Sequence, residues 1–186
     1  MKDKIIQSAT QQILKFGFRK FTIDDIASDL GISKKTVYKY FESKSQIISA
    51  VMDTYVEMEK ARTLEALQTE GGWIDKFNQV VFSETRERAP NWLLQELQQH
   101  FPEEWEKGNA IGEFKRAHMR ELLQQGIKTG DIRPDINLAI VDMTLDKAIA
   151  GVFNFDFLNQ NDLTVNQAME EVQKLFLNGI LKRNQE

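Results

Sequence analysis

The sequence predicts an all-α fold, with an N-terminal three-helix, helix-turn-helix domain followed by a larger helical domain, about nine helices in all. Apolar residues recur at three- and four-residue spacing along nearly the whole chain, period-two alternation is nowhere sustained, and only Pro90, Pro102 and Pro134 interrupt the pattern. With 186 residues and 41% hydrophobic content, the chain can bury a sizeable core without covalent support.

The elements follow in order. Ile5, Ala9 and Ile13, with Ile6 and Leu14 alongside, form the stripe of a first helix that Gly17 stops. Thr22 followed by Asp25 has capping-box spacing and opens a second helix, about 23–30, with Gly31 as its C-terminal residue. Ser33 caps a third, Lys34 to Tyr40. Ser43, with Gln46 three positions on, starts a fourth that runs to about Leu67, before Gly71-Gly72. Further helices are expected at 73–88, 91–100, 103–129, 136–157 and 164–182. The domain boundary falls at 48/49, giving domains 1–48 and 49–186.

The net charge of −4 conceals a division. Residues 1–50 carry nine basic against five acidic side chains, a net +4, and the remainder is −8. Such asymmetry points to an anion-binding head on an acidic body. The absence of cysteine excludes disulfides, thiolate nucleophiles and iron-sulfur clusters, and suits a reducing compartment. No apolar run approaches the roughly 18 to 20 residues needed to span a bilayer, and Met1 to Ala9 lacks a signal-peptide core, so a cytoplasmic protein without membrane contact is expected.

The stretch from Ile23 to Phe41 carries the chemistry. Two short helices joined through Gly31, Ile32 and Ser33 form a helix-turn-helix. Ile23, Ile26, Ala27 and Leu30 face inward from the first helix, and Ile32, Val37 and Phe41 close the small core. Lys34, Lys35, Thr36, Tyr38, Lys39 and Tyr40 remain outward, all cations or hydroxyls. That set suits a polyanion, because ammonium groups neutralise phosphates and hydroxyls donate to phosphate oxygens. Lys34, Lys35 and Thr36, at the start of the helix, are candidate readers of base edges, while Tyr38, Tyr40 and Lys44 hold the backbone.

Phe16-Gly17-Phe18, Thr22, Ile26-Ala27, Gly31-Ile32-Ser33, Thr36-Val37-Tyr38, Tyr40-Phe41 and Lys44 together resemble the N-terminal domain of TetR/AcrR family transcriptional regulators, without a gap over about the first 50 residues. The resemblance implies DNA contacts at Thr22, Lys34, Lys35, Thr36, Tyr38, Tyr40 and Lys44, and core positions at Ile26 and Phe41. Ser45 and Gln46 stand where the family often has an acidic residue. It further implies a homodimeric repressor on a palindromic operator of double-stranded DNA, formed through a four-helix bundle and released by a small-molecule effector.

In the body, Leu138, Val141, Leu145, Ile149 and Val152 form one stripe and Val165, Met169, Val172, Phe176 and Ile180 another. Leu138, Val141, Leu145, Val152, Val172, Phe176 and Ile180 are the candidate dimer residues, the remaining width being covered by the monomer's own core. All three tryptophans fall between 73 and 105, so Trp73, Phe77, Trp92, Phe114 and His118 are candidate lining for a mostly apolar effector. His118 and Glu121 are spaced i, i+3, but no further histidine or cysteine completes a ligand set, so neither a metal nor another cofactor is expected. An enzyme finds no nucleophile-base pair, glycine-rich phosphate loop or metal cluster. The alternative is a helical protein-interaction module whose basic head binds an acidic partner and has no specific DNA target.

Overall fold

The computed structural model describes residues 1–82 and 89–181, and every described element is helical. The helices are α1 (Lys2–Phe16), α2 (Ile23–Asp29), α3 (Lys34–Tyr38), α4 (Lys44–Gln68), α5 (Trp73–Val81), α6 (Asn91–His100), α7 (Pro102–Thr129), α8 (Leu138–Val152), α9 (Phe155–Gln160) and α10 (Val165–Ile180). The far ends of the helices expected at 73–88 and 164–182 lie partly outside the described residues. The chain divides into two compact units. One comprises Met1–Glu59 and Trp92–Ile111, the other Lys60–Asn91 and Gly112–Glu186.

In the first unit, α1 buries Ile5, Ala9 and Ile13 on the stripe that the spacing marks out. Gly17 ends the helix at φ 89°, a left-handed conformation that favours glycine. Phe21, Ile26, Val37, Phe41, Ile47 and Ile48 are buried around this stripe. Ser8, a buried polar residue of α1, donates its hydroxyl to Asp29 at 2.5 Å and so holds α1 to the end of α2. From α6, Leu93 and Leu97 are buried in the same unit.

The second unit is built on α5, the later part of α7, and α8 to α10. Trp73 stacks on Phe77 at 5.1 Å, and Phe77 lies parallel to Phe176 of α10 at 5.9 Å between centroids. The indole N–H of Trp73 donates to the carbonyl of Leu122, so the polar edge of this ring is satisfied in the interior. Arg116 and Arg120 of α7 pair with Asp146 and Asp142 of α8. After α7 the backbone of Arg133 donates to the Ile180 carbonyl at 3.0 Å, pinning the connection to the end of α10.

Two expected helices differ in extent. The helix expected at 136–157 stops at Val152, and a separate α9 begins at Phe155. Asn154 is the cause: its side chain accepts the Phe157 N–H at 3.0 Å and so caps a new helix start, although the apolar spacing continues through it. The third helix closes at Tyr38 rather than Tyr40, with Lys39 and Tyr40 in a tighter turn whose N–H groups reach three residues back.

Candidate nucleic-acid interface

The interface is assembled by three local devices within residues 22–36. Thr22 caps α2: its hydroxyl accepts the Asp25 N–H at 3.2 Å, and the Asp25 carboxylate accepts both the Thr22 N–H and the Thr22 hydroxyl at 2.7 Å. The Thr22 hydroxyl holds the Asp25 carboxyl below the usual carboxylate value, helped by the Thr22 backbone N–H and by the charge of Lys44. Gly31, at φ 61°, then closes α2 in a Schellman motif. Its N–H donates to Ser28 at 3.2 Å, and the next N–H, of Ile32, reaches Ala27 at 2.9 Å. Ser33 starts α3 by accepting the Thr36 N–H at 3.1 Å, and its hydroxyl meets that of Thr36 at 2.9 Å.

With both turns fixed, Val37 is wholly buried and the opposite face of α3 is open. Lys34, Lys35 and Lys39 are exposed, Thr36 is half-buried, and Tyr38 and Tyr40 are 50% and 45% exposed. Aromatic rings so exposed, each carrying a hydroxyl among three lysines, form a donor-rich surface with no acidic residue on the helix itself. Lys34 is engaged: its ammonium lies 2.7 Å from Asp24 on α2.

Lys44 takes a different position from the rest. Its ammonium donates to the Arg19 carbonyl at 2.8 Å and sits 4.3 Å from the centre of the Phe21 ring. Partial burial pushes its pKa down, against the opposing charges of Glu96 and Asp25. Lys44 thereby ties the start of α4 to the turn between α1 and α2. Glu96 of α6, which sequence reasoning did not single out, accepts the Phe18 N–H in the same turn. No local signal marks Glu96, because its partner is 78 positions away.

The candidate effector residues divide between the units. Trp73, Phe77, Phe114 and His118 belong to the second, Trp92 to the first. Trp73 and Phe77 are buried in the aromatic stack, whereas Phe114 and His118 are half-buried and meet edge to face at 4.8 Å. Trp92 is 48% exposed. Of the candidate dimer residues, Val141, Leu145, Val152 and Ile180 are buried, and Leu138, Val172 and Phe176 are half-buried. The exposed large apolar side chains on α8 and α10 are instead Ile140, Met143 and Leu175. Among the described residues no group of acidic or histidine side chains could hold a metal ion, and no helix is long and apolar enough to cross a membrane.

This geometry, a short exposed helix set by a glycine turn onto a capped partner, is that of helix-turn-helix regulators. Residues 5–51 match the model described as bacterial regulatory proteins, tetR family. The chain is 27% identical over 184 residues to the uncharacterized HTH-type transcriptional regulator YvaF of Bacillus subtilis, covering 96% of this chain and 95% of that one. It is 22% identical over 152 residues to the HTH-type transcriptional repressor KstR2 of Mycolicibacterium smegmatis, covering 75% and 71%. Its fold is similar to that of a transcriptional regulator from Saccharomonospora viridis crystallised with choline, with a TM-score of 0.75, 19% identity and 98% of each chain covered. Residues 5–51 thus match the N-terminal domain of the tetR family, and the chain along its length is similar to transcriptional regulators of this kind.

Proposed function

We propose that the chain is a homodimeric repressor, with residues 1–48 binding a palindromic operator and residues 49–186 taking up a small, mostly apolar effector and forming the dimer. The observation that carries the DNA-binding part is the α3 surface, where Lys34, Lys35, Lys39, Tyr38 and Tyr40 are exposed while Val37 anchors the helix beneath them. Lys34, Lys35 and Thr36 read base edges. Thr22, Tyr38, Lys39 and Tyr40 contact the sugar-phosphate backbone, and Lys44 supplies positive charge from the start of α4.

Ile140, Met143 and Leu175 support a second copy as the cover of α8 and α10, because exposed apolar side chains grouped on two helices of one unit are costly in water. The choline complex of the Saccharomonospora viridis regulator supports a small-molecule effector. In the DNA-competent dimer the two α3 helices stand about 34 to 36 Å apart, one turn of B-DNA. An effector that prefers a different setting of α4 changes that spacing, with a coupling of roughly 1 to 3 kcal/mol. The KstR2 relative, named a repressor, supports release rather than recruitment.

A gel shift against the DNA upstream of the protein's own gene tests the reading. If each subunit neutralises about three or four phosphates, log affinity falls with log salt at a slope near −5 to −7. Binding that is absent, or indifferent to salt, overturns the proposal and favours the protein-interaction module.

A further inference from the structure

We propose that Asp24 is a specificity-determining residue: its carboxylate holds the ammonium of Lys34, at the first position of α3, and withholds that cation from DNA of arbitrary sequence. The inference rests on the DNA-binding reading above. The Lys34–Asp24 separation is 2.7 Å, and both side chains are more than half exposed, at 55% and 65%. A pair so exposed contributes little to folding. It nevertheless occupies the donor-rich face, where a free cation would be most useful for binding. Asp24 lies in the first turn of α2, where an acid is favoured by the unpaired N–H groups.

The consequence for binding follows from counterion release. A lysine already neutralised by a carboxylate releases no additional ion when it meets a phosphate, and the displaced carboxylate is left facing the phosphate backbone. Random DNA offers Lys34 only that exchange. The ammonium has three N–H donors, so it can keep Asp24 while donating to O6 and N7 of a guanine that the rest of α3 holds in register at the correct base pair. Asp24 thus raises the ratio of specific to non-specific affinity by weakening the second.

The test uses the full chain, with fluorescence anisotropy on operator and random duplexes of equal length between about 50 and 200 mM salt. Asp24→Asn should tighten random-DNA binding about three- to tenfold, steepen its salt slope by about one per subunit, and change operator binding less. Lys34→Gln alone should weaken operator binding while leaving random DNA nearly unchanged. In the double variant the gain from Asp24→Asn should vanish. The proposal is overturned if Asp24→Asn leaves random-DNA affinity and slope at wild-type values. It is equally overturned if the gain survives Lys34→Gln, which would show a general charge effect. Should Asp24→Asn fail to fold, equal loss on both duplexes in Lys34→Gln overturns it by itself. Wild-type protein that binds no DNA defeats both readings, whereas wild-type binding with a neutral Asp24→Asn defeats only this one.

Discussion

Glu96 accepts the backbone N–H of Phe18 through Oε2 at 2.8 Å, fastening α6 to the turn between α1 and α2. That N–H is part-buried. Glu96→Ala leaves it unpaired and should cost about 1 to 3 kcal/mol. For a chain of this size that lowers the melting temperature by roughly 2 to 4 °C per kcal/mol. Glu96→Gln keeps an acceptor oxygen and should recover most of the loss. Equal melting curves for the Ala and Gln variants would show that the bond is not what holds the turn.

The capping box of α2 makes stability depend on pH in the acid range. The Asp25 carboxyl is held below its ordinary value of 3.8 in the folded chain, chiefly by the Thr22 hydroxyl. The unfolded chain therefore binds the proton more readily. The contribution is fully present above 3.8 and is lost as pH falls through the lower folded value. Asp25→Asn should flatten this part of the acid limb in urea titrations run between pH 2 and 5, and Thr22→Ser should preserve it. A limb unchanged in Asp25→Asn would assign the acid sensitivity to other carboxylates.

Lys35 and Lys44 should separate in a binding series. Lys35 is exposed on α3, while Lys44 is bonded to Arg19 beneath the turn. Lys35→Ala should relax base preference, costing about 1 to 3 kcal/mol on the operator and less on random DNA. Lys44→Ala should weaken all sequences alike and lower the salt slope by about one. Identical behaviour of the two variants on cognate and random duplexes would remove this division of labour.

Two glycines of α7 should respond to alanine with opposite signs. A Cβ on Gly126 would lie 2.6 Å from Cε2 of Trp73 and 2.8 Å from Cδ1 of Ile132, and Trp73 is pinned by its bond to Leu122. Gly126→Ala should therefore destabilise by about 1 to 3 kcal/mol through overpacking, less the helix-propensity gain of about 1 kcal/mol. A Cβ on Gly112 meets nothing within 4 Å, so Gly112→Ala should stabilise by up to about 1 kcal/mol. Calorimetry of both variants gives the comparison, and a stabilised Gly126→Ala would mean that Trp73 moves freely.

Met143 and Leu175 should govern self-association. They are 53% and 75% exposed. Met143→Asp or Leu175→Asp should shift the chain from dimer to monomer in analytical ultracentrifugation, with the helical circular dichroism kept. Salt-dependent affinity for a full palindrome should fall with it, and affinity for a half-site should not. A dimer that persists in both variants would place the interface elsewhere.

The N-terminal helices were legible because their signals are local. Thr22 and Asp25, Gly31, and Ser33 and Thr36 each act within a few residues, so the order of side chains states the geometry directly. The break at Asn154 was hidden because apolar spacing continues from Val152 to Phe157, and periodicity outweighed a single capping residue. Glu96 was invisible for the opposite reason: a glutamate on a helix surface has no distinctive neighbour until folding brings Phe18 to it. The stripe of Val141 and Leu145 was apparent as a stripe, but spacing does not say what covers it. Val141 and Leu145 are buried, whereas Ile140 and Met143 are exposed.

The placement of Trp73 and Trp92 gives the protein two native optical reporters of opposite exposure, beside the half-buried Trp105. Trp73 is 4% exposed in one compact unit, and Trp92 is 48% exposed in the other. A water-borne quencher such as iodide should silence the red-shifted emission of Trp92 and spare the blue-shifted emission of Trp73. Titrations with duplex or with hydrophobic compounds can then be followed by colour as well as intensity. With Trp105 also replaced by phenylalanine, phenylalanine at either position isolates the other signal without any attached dye.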